Sequence, residues 1–258
     1  MEVSSSTAAP KPVQEIPAVT IRFVGDSGDG MQLTGVEFTR ATAIAGNDLQ
    51  TFPDYPAEIR APAGTVLGVS GFQIHFSSEA VFTPGDQPDV LVAMNPAALK
   101  ANLKDLVKGG TLILNTGAFN EVNLQKAGYA TDPLTDGSLD AYKRHDVNIT
   151  SLTELALKDS GLSSKEIGRA KNMFALGMML WMYGRPTEPT ERYLKEKFGS
   201  KPDILAGNEK ALRAGFNYGE TAELFANTYS VRRAAISKGT YRNITGNEAT
   251  AWGILAAT

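Results

Sequence analysis

The chain has 258 residues, a length that suits one large domain or two modest ones. Hydrophobic residues make up 42% and charged residues 21%, which is a globular composition and excludes a wholly disordered chain. The net charge of −3 gives no sign of a nucleic-acid partner or an acidic membrane surface. Without any cysteine, the chain can hold no disulfide, no thiolate nucleophile and no iron–sulfur cluster of its own.

Residues 1–18 are rich in Ser, Ala and Pro, and we expect them to form a leader without fixed structure. They lack the basic region and apolar stretch of a secretory signal. A membrane span needs roughly 18 uninterrupted apolar residues. The longest candidate, 173–184, is shorter and is typical of a buried core helix. We therefore expect a cytoplasmic protein without a membrane partner.

The ordered part is predicted to open with a strand, a glycine-rich turn and a helix. A β-branched run, VTIRFVG, begins at Val19 and is followed at once by the turn DSGDG. The next apolar residues fall mainly on one helical side, and Gly46 is a natural helix end. This order is typical of an α/β unit.

The following elements continue the α/β pattern. The prolines of 51–65 exclude a helix and predict an extended, shaped loop, and the alternation in 68–78 predicts a half-buried strand. Runs 89–95 and 110–116 are apolar on both sides, as in a sheet covered by helices on both faces, and a helix that starts at Pro96 separates them. A further strand is predicted at 146–150 and a helix at 152–158.

The C-terminal half is predicted to be mostly helical from residue 164 to 230, with breaks at 184–186, at 199–202 and at Gly207. The fold class is therefore three-layer α/β/α over 19–230, with a helical C-terminal part. Residues 231–245 are basic and are predicted to form an exposed linker. Residues 246–258 are predicted to form the first helix of another domain. We expect the chain to be the front portion of a longer protein.

Gly25–Gly30 forms the first candidate site. Glycines allow a tight turn, and the helix N-terminus behind them offers free N–H groups to an anion. Such a turn serves equally well to pack a helix on its strand, and both interpretations stay open. The order GxxGxG differs from the dinucleotide fingerprint, no Walker lysine follows, and Asp26 and Asp29 oppose a diphosphate directly over the turn.

A second candidate lies in the proline-rich loop. Glu58 and Arg60 are two residues apart, so in an extended segment they project to one side. Either they form a structural ion pair or Arg60 contacts a ligand. His75 and His145 are given no catalytic role, and two histidines make a multi-histidine metal site unfavourable.

Several ordered motifs resemble the gamma domain of the 2-oxoacid:ferredoxin oxidoreductases. They are GDSGDGM, FPDYPAEIRAPAGT, GVSGFQIHF, PDVLVAMNPAAL, GGTLILNT and AKNMFALGMMLWMYGRPTE. The terminal TGNEATAWGILAAT resembles the opening of the family's alpha domain, the pyrimidine-binding half of a thiamine diphosphate site. Gamma placed before alpha is similar to the 2-oxoglutarate type.

The resemblance implies coenzyme A-dependent oxidative decarboxylation of 2-oxoglutarate to succinyl-CoA and CO₂, with reversible transfer of electrons to ferredoxin. It implies thiamine diphosphate, Mg²⁺ and a 4Fe–4S cluster in the full complex, held with a beta subunit and not by this chain alone. The alternatives are the same chemistry on another 2-oxoacid such as pyruvate, or a structural module of the complex that binds no ligand.

The resemblance also assigns candidate residues for coenzyme A. These are the turn residues Ser27, Gly28, Asp29 and Gly30, together with Arg60. We expect Gly28 or Gly30 to have a positive φ or to face a close neighbour, so that a Cβ there would do harm.

Overall fold

The computed structural model describes residues 11–58, 61–222 and 225–258, and its strands run in two sheets within that part of the chain. Six strands form the larger sheet, and two short strands form the smaller one. The strands are β1 (Val13–Glu15), β2 (Ala18–Asp26), β3 (Asp48–Asp54), β4 (Val69–Ser77), β5 (Val90–Ala93), β6 (Thr111–Asn115), β7 (Lys143–Val147) and β8 (Thr228–Ser230).

The larger sheet has the order β3-β4-β2-β5-β6-β7. β2, β5, β6 and β7 are parallel, whereas β4 lies antiparallel between β2 and β3. The helices are α1 (Met31–Ala45), α2 (Pro96–Asn102), α3 (Glu121–Lys126), α4 (Ile149–Leu157), α5 (Ser164–Arg169), α6 (Lys171–Met182), α7 (Glu188–Phe198), α8 (Pro202–Thr221) and α9 (Gly246–Ala257).

Both faces of the central strands are buried, which confirms the predicted three-layer α/β/α class. In β5, Val90 and Val92 pack into the core that includes α1 and α6, whereas Leu91 and Ala93 pack with α2 on the opposite face. A strand covered on both sides has no polar face to present to water. This burial explains the uninterrupted apolar runs in the sequence.

α6 is buried along almost its whole length, as predicted for the apolar segment 173–184. It packs on α8 through glycines. A Cβ on Gly177 would lie 2.0 Å from the carbonyl oxygen of Leu212, and one on Gly215 would lie 1.9 Å from that of Phe174. The two backbones therefore touch in a way that no larger residue allows.

The prediction of an unstructured leader up to residue 18 is wrong for its last residues. β1 pairs in parallel with β8, and the carbonyl oxygen of Pro17 accepts a hydrogen bond from the backbone N–H of Ser78 at 2.9 Å. The partner strand lies more than 200 residues along the chain. Local composition carries no signal for such a distant pairing.

The structure also differs from the predictions of a loop at 51–65 and a half-buried strand at 68–78. Residues 51–54 belong to β3, an edge strand, where a proline can replace an N–H without breaking a central ladder. β4 is instead buried on both faces, and even the polar side chain of Gln73 is only 2% exposed. Its Oε1 accepts a hydrogen bond from Arg22 at 2.8 Å, and its Nε2 donates to the carbonyls of Pro84 and Gly85.

Three further boundaries were misplaced. β7 begins at Lys143 and ends at Val147, so the predicted strand 146–150 starts too late, and the next helix begins at Ile149. α8 runs through Gly207 without a break. A Cβ on Gly207 would lie 2.4 Å from a methyl carbon of Leu162, so this glycine provides close packing and not a helix end.

The segment after β8 is partly anchored before it becomes exposed. Asn47 donates to the carbonyl oxygen of Arg232 at 2.6 Å, and the N–H of Ala234 donates to the carbonyl of Gly46. α9 then begins with a capping box formed by Thr245 and Glu248, which agrees with the helix predicted from residue 246. The domain limits at 230 and 245 remain predictions. No helix in the described residues is long and apolar enough to cross a membrane.

Candidate functional site

The glycine turn lies at the carboxyl ends of the parallel strands. At this point the connections from two neighbouring strands lead in opposite directions along the sheet. After β2 the chain leads through α1 towards β3, whereas after β5 it leads through α2 to β6 on the other side. Open α/β sheets bind their ligands in the crevice outside such a switch point. β3 also ends at this edge and β4 begins there, so residues 55–58 and 61–68 lie on the same side of the sheet as the glycine turn.

Gly30 sets the geometry of the turn. It has φ 75° and precedes α1 directly, and no side chain caps that helix. The first-turn N–H groups therefore have no side-chain acceptor, and the positive end of the helix dipole faces the turn. A Cβ on Gly30 would lie 2.3 Å from Nδ2 of Asn172, at the start of α6.

Asp29 holds the turn closed. Its Oδ2 accepts a hydrogen bond from the backbone N–H of Asp26 at 2.9 Å and one from Nδ2 of Asn95 at 3.3 Å. Its Oδ1 lies 3.8 Å from Nζ of Lys171. This carboxylate thus connects the ends of β2 and β5 with the start of α6.

Asp26 is the second carboxylate of the turn. Its Oδ2 accepts a hydrogen bond from the N–H of Gly64 at 2.9 Å, which attaches the proline-rich loop to the turn. Burial raises the pKa of Asp26, and the nearby charge of Asp29 raises it further, while the Gly64 N–H, Asn95 and Lys171 act in the opposite direction. The carboxyl group therefore holds a proton to a higher pH than an ordinary aspartate.

Two buried acceptor atoms at the turn have no hydrogen-bond partner within the described chain. They are Oδ1 of Asp26 and Oδ1 of Asn172. Buried polar atoms are normally paired, so each one can take a donor from a ligand or from water. The site therefore combines free backbone donors at the head of α1 with free side-chain acceptors beside it.

The structure brings four of the five predicted site residues together. Ser27 and Gly28 are exposed at the tip of the turn, and Asp29 and Gly30 are partly buried beneath them. Gly30 meets the expectation of a positive φ and a close neighbour, whereas Gly28 meets neither, because it is not left-handed and a Cβ there would contact nothing within 4 Å. Arg60 lies outside the described residues.

Sequence reasoning missed Asn95, Lys171 and Asn172. Asn95 follows a buried strand and caps α2 through its side chain, accepting from the N–H of Ala98 at 2.8 Å. An asparagine directly before a proline at a helix start is a usable signal for such a position. Lys171 and Asn172 lie over 140 residues from the turn, and only the tertiary packing of α6 brings them there.

The site offers no set of metal ligands. No group of three or more His, Asp or Glu side chains that could hold a metal ion occurs in the residues that the structure describes. Both histidines lie away from the turn: Nδ1 of His75 contacts the carbonyl oxygen of Thr83 at 3.1 Å, and His145 packs on Phe225.

These features define a three-layer α/β domain whose glycine turn lies at the switch point of its sheet. Residues 20–218 match the family model described as pyruvate ferredoxin/flavodoxin oxidoreductase. The chain belongs to this family.

Curated relatives of the chain are subunits of related oxidoreductases. The chain is 55% identical over 244 residues to "2-oxoglutarate oxidoreductase subunit KorA" of Mycobacterium tuberculosis, covering 95% of this chain and 37% of that protein. It is 27% identical over 202 residues to "Pyruvate synthase subunit PorC" of Thermotoga maritima, covering 76% of this chain and 92% of that one. The chain thus spans little more than a third of the first relative's length.

Solved structures share the fold. A 2-oxoglutarate:ferredoxin oxidoreductase from Magnetococcus marinus, with 2-oxoglutarate, coenzyme A and succinyl-CoA bound, matches 85% of this chain and 34% of its own with a TM-score of 0.63 and 23% identity. The PORC subunit of pyruvate oxidoreductase from Thermotoga maritima matches 78% of this chain and 97% of its own, with a TM-score of 0.52 and 22% identity. At these identities the likeness concerns the fold alone.

Proposed function

We propose that the chain is part of a 2-oxoglutarate:ferredoxin oxidoreductase. The observation that carries this proposal is the 55% identity over 95% of the chain to a 2-oxoglutarate oxidoreductase subunit. The reaction is the coenzyme A-dependent oxidative decarboxylation of 2-oxoglutarate to succinyl-CoA and CO₂, with ferredoxin as electron acceptor. The reverse reaction fixes CO₂. We place the enzyme in the cytoplasm.

The redox chemistry requires groups from outside this chain. A cluster of the usual 4Fe–4S kind needs four thiolates, and the chain has no cysteine. Thiamine diphosphate supplies the carbanion chemistry when bound in the complex. We propose a beta subunit as the carrier of the cluster and of the Mg²⁺-bound diphosphate.

The glycine turn is proposed to seat coenzyme A. The exposed Ser27 and Gly28 allow a ligand to approach the backbone closely, and the uncapped start of α1 behind Gly30 provides N–H donors. Asp26 and Asp29 repel a phosphate group placed directly over them, so the phosphates need a separate cation. Arg60 is the candidate for that role, as a planar fork with several donors.

The test of this assignment uses Arg60→Ala in the assembled enzyme. Removal of a charge-assisted hydrogen bond costs roughly 1.5–3 kcal/mol. Because about 1.4 kcal/mol corresponds to a factor of ten, the KM for coenzyme A should rise tenfold or more, while the KM for the 2-oxoacid stays unchanged. Unchanged coenzyme A kinetics with a lower melting temperature would favour an ion pair between Arg60 and Glu58 instead.

Two alternatives are separated by simple assays. Relatives at 26–27% identity include ketoisovalerate and pyruvate enzymes, so the same chemistry could act on another 2-oxoacid. The rate of the assembled enzyme with 2-oxoglutarate, pyruvate and 2-oxoisovalerate decides this question. A structural module without a ligand would show no saturable effect of coenzyme A on binding or rate.

A further inference from the structure

Lys171 is a cation beside the glycine turn to which the proposed function gives no role. It is the first residue of α6. Its Nζ lies 3.8 Å from Oδ1 of Asp29, and its charge also acts on Asp26, where it opposes the rise in the pKa. Lys171 therefore lies close to both carboxylates of the turn.

The ammonium group of Lys171 has donors that the protein does not use. The side chain is 21% exposed and that of Asp29 is 18% exposed, so solvent reaches both of them. An N–O distance of 3.8 Å is too long for a hydrogen bond, and Nζ makes none with the residues that the structure describes. Because an ammonium group has three N–H donors, an anion can accept from it without displacing an internal hydrogen bond.

The backbone of Lys171 is held at the turn by the packing of α6. A Cβ on Gly30 would lie 2.3 Å from Nδ2 of Asn172, so the first turn of α6 touches the residue that precedes α1. Met31 of α1 and Met173 of α6 are then buried in the same core. A lysine next to helix N–H groups that lack a side-chain cap is an arrangement that proteins use to bind phosphate groups.

The two carboxylates of the turn make such a cation necessary for an anionic ligand. Asp26 and Asp29 repel an anion close to the turn, and the charge of Lys171 offsets part of that repulsion. Oδ2 of Asp29 is already held by the N–H of Asp26 and by Nδ2 of Asn95. Asp29 therefore needs no hydrogen bond from Lys171 to keep its place, and the lysine is available to a ligand.

We propose that Lys171 binds a phosphate group of coenzyme A beside the glycine turn. This inference rests on the proposed function and adds a second cation to the candidate Arg60. Asp29 positions the lysine, and the uncapped start of α1 donates backbone N–H groups to the same anion. Coenzyme A carries a diphosphate and a 3′-phosphate, and the chemistry of recognition is the same for both.

The test measures steady-state kinetics of the assembled oxidoreductase with Lys171→Met, which removes the charge and keeps an unbranched side chain. Loss of a charge-assisted hydrogen bond should raise the KM for coenzyme A roughly tenfold or more. Because Lys171 does not contact the 2-oxoacid in this proposal, the KM for 2-oxoglutarate and the kcat at saturating coenzyme A should stay within about twofold. Lys171→Arg retains a cation and should recover most of the loss.

Lys165→Met is the matched control. Lys165 is an exposed lysine of α5, the helix before α6, and it has no contact with the turn. Its removal changes the net charge by the same amount, so a general effect of charge on coenzyme A would appear in both variants. We expect wild-type kinetics for Lys165→Met, and an equal rise in KM in both variants would overturn the inference.

A double variant separates phosphate binding from simple neutralisation of Asp29. Asp29→Asn keeps an acceptor for the N–H of Asp26 and removes the negative charge. If Lys171 only neutralises Asp29, the KM for coenzyme A in Lys171→Met/Asp29→Asn should return to the wild-type value, which would overturn the inference. If Lys171 holds the phosphate, this KM should stay about fivefold or more above that of Asp29→Asn alone.

The same measurements with dephospho-coenzyme A, which lacks the 3′-phosphate, identify the group that is bound. A raised KM for both ligands in Lys171→Met assigns the lysine to the diphosphate, and an effect confined to coenzyme A assigns it to the 3′-phosphate. If Lys171→Met does not assemble, Lys171→Gln replaces it with the same expectation.

Failure of this inference is distinguishable from failure of the proposed function. An unchanged KM for coenzyme A in a folded Lys171→Met enzyme overturns the inference and leaves the proposed function standing. A wild-type enzyme whose rate does not depend on coenzyme A would refute the proposed function and this inference with it.

Discussion

Glycine serves opposite purposes in the contact between α6 and α8 and in the turn before α1. In the helix contact, Gly177 and Gly215 have ordinary helical backbones, and their lack of a side chain lets two helices touch. In the turn, Gly30 has a left-handed backbone that permits the chain to reverse, and Gly28 faces open space. The helix contact is therefore set by packing, whereas the tip of the turn is exposed, as the proposed binding of coenzyme A requires.

The largest expected effect comes from a Cβ in the helix contact. Gly215→Ala would place a carbon 1.9 Å from the carbonyl oxygen of Phe174, and two backbones must separate to accept it. Overpacking of this kind costs about 3 kcal/mol or more, so we expect a strong loss of folded protein. The measurement is the free energy of unfolding in urea.

Gly168→Ala is the matched control for that prediction. Gly168 lies in α5, and a Cβ there would contact nothing within 4 Å. Alanine in a helix is favoured over glycine by roughly 0.5–1 kcal/mol, so this variant should be as stable as the wild type or more stable. Equal destabilisation by both variants would contradict the packing account.

A smaller effect is expected at the turn. Gly30→Ala forces a non-glycine residue to φ 75°, which costs roughly 1–2 kcal/mol, and its Cβ must displace the amide of Asn172. Gly28→Ala has neither problem and should change stability by less than about 0.5 kcal/mol. Thermal unfolding of the two variants side by side checks this order, and a larger loss in Gly28→Ala would refute the geometry of the turn.

The sequence predicts the glycine turn better than it predicts the contact between α6 and α8. The turn and its helix were found from local signals, because glycine, aspartate and the following apolar period lie within a few residues. Gly177 and Gly215 carry no local signal of the α6–α8 contact, since their function depends on a backbone that is distant in sequence. β1, Lys171 and Asn172 were missed for the same reason.

A further expected effect depends on pH and concerns α1, the helix that follows the glycine turn. Glu37 is fully buried on this helix, with Oε1 3.0 Å from Nη1 of Arg40, and burial raises its pKa to about 7 against the nearby charges of Arg40 and Lys197. The unfolded chain ionises near pH 4.5. Stability from this group is therefore present at low pH and is lost as pH rises from 4.5 to 7.

The measurement compares the wild type with Glu37→Gln in urea at several pH values. The difference in unfolding free energy should move in favour of the glutamine variant as pH rises through that window, by at most roughly 1.4 kcal/mol per pH unit. Glu154→Gln, which removes an exposed carboxylate of α4 that does not act on Glu37, should keep the wild-type slope. A flat difference for Glu37→Gln would show that the buried carboxyl does not titrate there.

Our central proposal is that the turn is kept open for coenzyme A, and Gly28→Val in the assembled form of the proposed oxidoreductase tests it most directly. Because a Cβ at Gly28 meets no atom of the described residues within 4 Å, we expect the Gly28→Val chain to fold like the wild type. We expect the KM for coenzyme A to rise tenfold or more, with an unchanged melting temperature and an unchanged KM for 2-oxoglutarate. Wild-type coenzyme A kinetics in a stably folded Gly28→Val enzyme would contradict the account.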